Sequence, residues 1–149
     1  MRPEELLPHA PYIAAVDREL AARGIPPGRL WTYGAAYPGQ HATRPAQQRL
    51  CALLEWDRSR CTGLGVTWHW GDDTGWRSAR TGRGGRRLAD TTRPLGPPLY
   101  ADPVALADVA QALVRGQRPV PCDQVGEWSG AAQVRRAVVA FRGAPPAGA

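Results

Sequence analysis

The stretch Val66-Thr67-Trp68-His69-Trp70-Gly71-Asp72-Asp73-Thr74-Gly75-Trp76 constrains this chain more than any other part of it. Leu64, Val66, Trp68 and Trp70 alternate with Gly65, Thr67 and His69, a period of two that belongs to a strand with one apolar face. Gly71 to Gly75 has the turn chemistry of a short hairpin loop. A β-hairpin is therefore predicted over residues 64–80. Trp70 and Trp76 flank its turn, placed to face each other across the strands and pin their register. A sheet with one apolar face needs a covering layer, so helices must be found elsewhere in the chain.

They are found on both sides of the hairpin. Pro11 suits a first helical turn, and Tyr12, Ile13, Val16 and Leu20 recur at helical spacing before Gly24, which predicts a helix over Pro11 to Arg23. Ile25-Pro26-Pro27-Gly28 cannot continue it. Trp31, Tyr33, Ala35 and Tyr37 then alternate with Leu30, Thr32, Gly34 and Ala36, a strand with its aromatics on one face, broken by Pro38-Gly39. Arg49 to Trp56 fits a helix through Leu50, Leu53 and Leu54, or a strand through Leu50, Ala52, Leu54 and Trp56; it is read as a strand. From Thr81 to Ala101 neither period appears, and Gly82, Gly84, Gly85, Pro94, Gly96, Pro97 and Pro98 indicate a long loop. Asp102-Pro103 reads as an N-cap and first-turn proline for a helix bearing Leu106, Val109, Ala110, Leu113 and Val114, ending at Gly116. A third helix is predicted over Gly130 to Arg142, capped by Ser129, with Val134, Val138 and Phe141 on one face and Gly143 as its stop.

The resulting order is α+β: an N-terminal helix, an antiparallel sheet of three to four strands that includes the hairpin, then two C-terminal helices. The 149 residues suit one domain over 1–142, burying roughly two-thirds of its unfolded surface, with 143–149 as a disordered tail. No apolar run approaches the roughly 20 residues that span a bilayer, and residues 1–10 lack a basic patch followed by an apolar core, so a membrane or secreted protein is not expected.

Charge is concentrated. All nineteen basic side chains are Arg, a bias consistent with a GC-rich genome, and the formal net charge is +6. Between Arg77 and Arg93 six arginines (Arg77, Arg80, Arg83, Arg86, Arg87, Arg93) meet one acid, Asp90, a net of +5 that leaves +1 for the rest. An anionic partner, nucleic acid or acidic protein, would feel that stretch, whose glycines allow close backbone approach. It lacks the order of a phosphate-binding P-loop.

Catalytic signals are sparse. Cys51, Cys61 and Cys122 are an odd number at irregular spacing, which suggests neither a disulfide framework nor a zinc site and fits reduced thiols in the cytoplasm. As nucleophiles they would need His41 or His69 as base and Asp72 or Asp73 as orienter, yet Cys51 lies in an apolar strand and the two aspartates are turn formers first. His69, on the polar face of the hairpin, is the histidine to test. Trp56 and Trp68 are expected in the core, while Trp70 and Trp76, beside the turn, are open to either a core place or a role with His69 as exposed-face contacts. No cofactor, metal or catalytic residue is indicated.

The segments VTWHWGDDTGWRSA, PLGPPLYADP and PVALADVAQALV, with the YIAAVDREL helix before them, resemble a group of small actinobacterial domains of unknown function. In that group a tryptophan-bearing strand, an acidic turn and a second Gly-Trp strand lead through a Pro-rich link to a closing helix. The likeness spans about Tyr12 to Arg115, and this chain departs from it in the Arg and Gly insertion at Thr81 to Arg87 and in the extension after Gly116. It implies the fold order and transfers no activity to any residue.

The expectation is a non-enzymatic cytosolic binding or regulatory module that acts through a protein partner or as a homodimer. The alternative is a nucleic-acid-associated protein that uses residues 77–93, and a third is a small enzyme with a pocket between sheet and helices. The apolar residues of the last helix, Val134, Val138, Val139 and Phe141, exceed what one sheet face should cover and mark it as a candidate interface.

Overall fold

In the computed structural model, which describes residues 7–37, 39, 47–82, 93–119 and 125–143, period and turn chemistry translate into eight main elements. They are α1 (Ala10–Ala22), β1 (Arg29–Ala36), β2 (Gln48–Trp56), β3 (Gly65–Gly71), β4 (Gly75–Thr81), β5 (Arg93–Pro94), α2 (Pro103–Val114) and α3 (Ala131–Gly143). The strands form one sheet in the order β1-β2-β3-β4-β5, each antiparallel to the next. The α+β order stands. Residues past Gly143 lie outside the described residues, as do His41, Arg83, Arg86, Arg87 and Cys122. No helix among the described residues is long and apolar enough to cross a membrane.

The hairpin folds as its alternation requires, with Trp70 opposite Trp76 and Gly71 opposite Gly75. Gly75 closes the turn at φ +70°, a left-handed conformation that a Cβ would strain. Asp72 links the turn to β2: its amide donates to the Leu50 carbonyl at 3.0 Å, and its carboxylate accepts the Leu50 amide at 3.2 Å.

Register decides the inner face. Leu30, Leu54, Trp68 and Ser78 form one cross-strand row, and Thr32, Ala52, Trp70 and Trp76 the next. Trp70 and Trp76 therefore share the face of Trp56 and Trp68, and at 0% and 1% exposed they are core residues, not exposed-face contacts. The cause is α1. Tyr12 packs its ring against Trp70, Trp76, Tyr100 and Trp128 at centroid distances of 5.4–6.2 Å. Edge-to-face contacts at 5.5 Å join Trp56 to Trp68 and Trp68 to Trp76. Backbone carbonyls accept hydrogen bonds from the indole N–H groups of Trp56 (Ile25, 2.9 Å) and Trp70 (Leu99, 2.8 Å). Trp68 Nε1 is buried without a partner among the described residues.

Two expectations need correction. The stretch from 81 to 101 is not loop throughout, because Arg93–Pro94 pairs with Arg77 and Ser78 of β4 and the Leu95 amide donates to the Trp76 carbonyl at 3.0 Å. A two-residue strand has no period to detect, and its proline is tolerated where no ladder donor is needed. The spare apolar surface expected of α3 is also largely absorbed by this chain's own core. Val134 is buried, Val138 and Phe141 pack against the core, and Val139 alone of the four stands well out, 72% exposed. Arg142 fixes the far end of α3 by donating to the Gln48 carbonyl at 2.9 Å and pairing with Asp72.

On α2, the Asp102 carboxylate accepts the Val104 amide at 3.1 Å and Pro103 occupies the first turn, as the sequence leads one to expect.

Tyr12→Phe keeps the ring and removes a hydroxyl that accepts from Trp76 Nε1 at 3.0 Å and donates to the Ala101 carbonyl at 2.8 Å. Leaving both buried groups unpaired is expected to cost about 2–4 kcal/mol in urea unfolding. Val139→Ala on the exposed side of α3 should stay within about 0.5 kcal/mol. A Tyr12→Phe protein as stable as the parent would show that this hydroxyl does not hold the layers together.

Candidate functional site

Strand alternation that sends the tryptophans inward sends a different set to the face away from the helices. Trp31, Leu53, His69 and Arg77 form one row across four strands, and Arg29, Glu55, Thr67 and Ala79 the adjoining row. β1 thus carries Trp31 and Tyr33 outward, because Leu30 and Thr32 pair in register with the inward residues Leu54 and Ala52. Between long side chains of the first row and the short Thr67 and Ala79 of the second lies a trough along the hairpin, a cavity of about 310 Å³. Thr67 and Ala79 are buried, and Arg49, His69, Thr74, Arg77 and Ser78 complete the lining.

The lining is rich in hydrogen-bond donors. Arg49 is tied to the turn, donating from Nε to Asp73 at 2.6 Å and from Nη2 to the Thr74 hydroxyl at 3.1 Å. Arg77 stands opposite His69 in the ladder, is half-buried, and its side chain makes no hydrogen bond or ion pair among the described residues. A half-buried arginine without a counter-charge gains no ion pair in return for its burial. It is therefore suited to accept an anion. Two guanidiniums, an imidazole and hydroxyls around one trough can hold and orient a carboxylate or a phosphate.

The described arginines of the basic stretch do not share one face of the sheet. Arg77 points to the open face, whereas Arg80, three register positions away and so of opposite parity, turns inward and donates to the Leu113 carbonyl at 3.2 Å near the end of α2. Arg93 contributes backbone to β5. Of the sequence candidates, His69 and Arg77 come together here, and Arg49 joins them unpredicted. Its parity with Cys51 and Leu53 was the available signal.

The other candidates have structural work. Asp72 and Asp73 hold the turn and its neighbours. Cys51 is buried, and burial pushes its thiol above the ordinary range; the half-buried Cys61 is raised for the same reason. Neither is activated as a nucleophile. Among the described residues no group of three His, Cys, Asp or Glu could hold a metal ion.

His9, passed over in the sequence, is fully buried just before α1 and stacks on Trp70 with ring centroids 5.4 Å apart. It contacts the Cys51 carbonyl through Nε2 at 2.8 Å; since a carbonyl only accepts, the proton is on Nε2, and Nδ1 is left without a partner among the described residues. Burial lowers its pKa from 6.5, outweighing the carbonyl bond and the Asp72 charge, which act the other way. The unfolded chain therefore binds the proton more readily than the native one. Stability is full above pH 6.5 and is lost as pH falls from there towards the lowered native value, with a slope of at most about 1.4 kcal/mol per pH unit. Urea midpoints measured from pH 7.5 down to about 5 should show this loss, and His9→Phe should flatten it while starting from a lower stability. An equally steep profile in the variant would remove His9 as the cause.

No protein-family model, curated protein or solved structure matches this chain.

Proposed function

We propose that the protein is a non-enzymatic binding module working in the cytosol, whose open sheet face receives an anionic group, carboxylate or phosphate, of a partner protein. The observation that carries this reading is Arg77, half-buried beside His69 with no counter-charge among the described residues, at a trough that Arg49 also lines. The free thiols Cys51 and Cys61 fit a reducing compartment. Rigid strands supply every cationic lining group, so the site is preorganised and little ordering opposes binding.

Isotope-edited NMR of the arginine side chains, titrated with inorganic phosphate, acetate and short peptides rich in Asp, Glu or phosphoserine, tests it. Arg77 and His69 should shift first. Arg77→Gln should weaken the best probe at least about tenfold, the range of one charge-assisted hydrogen bond, and change the melting temperature little. Binding unaffected by Arg77→Gln, or no probe binding at all, would defeat the proposal.

The net +5 of residues 77–93 favours a second reading, nucleic-acid binding. Salt separates the two. Duplex DNA held by several of these arginines should lose affinity with a log–log slope of roughly −0.9 per phosphate contacted, and changing Arg80, Arg83, Arg86 and Arg87 together to Ala should flatten it. A protein-binding module should show no duplex or single-strand binding at physiological salt, and an anion affinity that those four changes leave largely intact.

A further inference from the structure

Among the described residues, the edge of the sheet at β1 carries none of the ordinary protections. Its eight residues pair with β2 without a bulge, and no strand among the described residues pairs with its other side. The strand has no proline, no lysine and no inward charge; its one formal charge is Arg29 at the first position. Natural edge strands are blunted by such devices because unpaired backbone N–H and C=O groups template a further strand.

Apolar surface flanks this edge on both faces. On the helix side a groove of about 320 Å³ runs between α1 and β1, lined by Ala10, Ile13, Ala14, Leu30 and Thr32, with Asp17 its one charged residue. On the open side Trp31 is 45% exposed, with the Arg29 guanidinium 5.8 Å from its ring centroid.

The geometry points to a second copy of this chain as the occupant, joined β1 to β1 antiparallel about a two-fold axis so that the two sheets become one. Charge favours self-pairing in this direction. It sets the two Arg29 side chains at opposite ends of the ladder, on the order of 20 Å apart at about 3.4 Å per residue, whereas parallel pairing would bring them together. An acidic strand would meet Asp17 in the groove without a cation beside it there. The two-fold also lays one α1 beside the other, and the small Ala10 and Ala14 on the groove side let the helices approach closely. A closed dimer of this kind consumes both β1 edges and ends there, since isologous contacts do not propagate. The trough between β2, β3 and β4 stays open on each subunit, so the dimer does not depend on the anion reading.

Sedimentation velocity of the full chain over a wide concentration range should show a monomer–dimer equilibrium. Ala14→Glu and Trp31→Glu, both at exposed positions, should raise the dissociation constant about a hundredfold or more, because symmetry buries each new charge twice. Val139→Arg, on α3, should leave it unchanged. Hydrogen exchange of the unaltered protein gives a readout that no variant can confuse: alternate amides of β1, those turned away from β2, should gain protection as concentration rises. A monomer at all concentrations, a dimer indifferent to both glutamates, a dimer broken by Val139→Arg, or β1 amides insensitive to concentration would each overturn the inference.

Discussion

The hydroxyl of Tyr12 is where the layers of this protein are joined. One oxygen accepts a hydrogen bond from an indole of the sheet and donates one to a carbonyl just before α2, so α1, β4 and the entry to α2 meet at a single buried atom. Burial pushes the phenol well above its ordinary value, which keeps it neutral and able to play both roles. The aromatic ring beneath the hydroxyl packs on four other rings, and two of these, Trp70 and Trp76, are oriented by hydrogen bonds from their indole N–H groups. Trp70 and Trp56 are aimed by the carbonyls of Leu99 and Ile25. Apolar burial supplies most of the driving force in such a core, and the few directed bonds choose one arrangement among many of similar area.

Trp68 and His9 mark where that arrangement is imperfect. Each buries one nitrogen without a partner among the described residues, and both sit in the aromatic cluster, where fitting the rings competes with satisfying polar atoms. The competition is instructive because it shows which demand wins here: ring packing keeps its geometry, and the stray nitrogens bear the loss of hydration.

Much of this frame was legible in the sequence. Alternation through Trp68 and Trp70, the Gly-bounded acidic turn, and the Asp-Pro and Pro-plus-spacing signals of α2 and α1 are local patterns that local chemistry reads. The hidden parts depended on register. Whether the aromatics of β1 face inward is settled by their partners on β2, and Trp31 and Tyr33 turn outward because Leu30 pairs with Leu54. The same parity divides Arg77 from Arg80, which a charge count along the chain treats as equivalent. Arg49 escaped notice because its one signal, parity with Cys51 and Leu53, counts only once the ambiguous segment is known to be a strand. His9 escaped because a histidine before a proline-initiated helix looks solvent-exposed until the tertiary fold places Trp70 beneath it.

Every strand in the sheet pairs with its immediate predecessor, so the sheet closes only short stretches of chain. The bonds that complete the molecule are of another kind: Tyr12 to Ala101 and Arg142 to Gln48 span 89 and 94 residues. Since the entropy lost in closing a loop grows with the logarithm of its length, the ordering cost of this topology is concentrated in a few long closures made by α1 and α3. The sheet is in that sense a locally wound ribbon, and the two helices are clasps whose fastening makes it a single cooperative body.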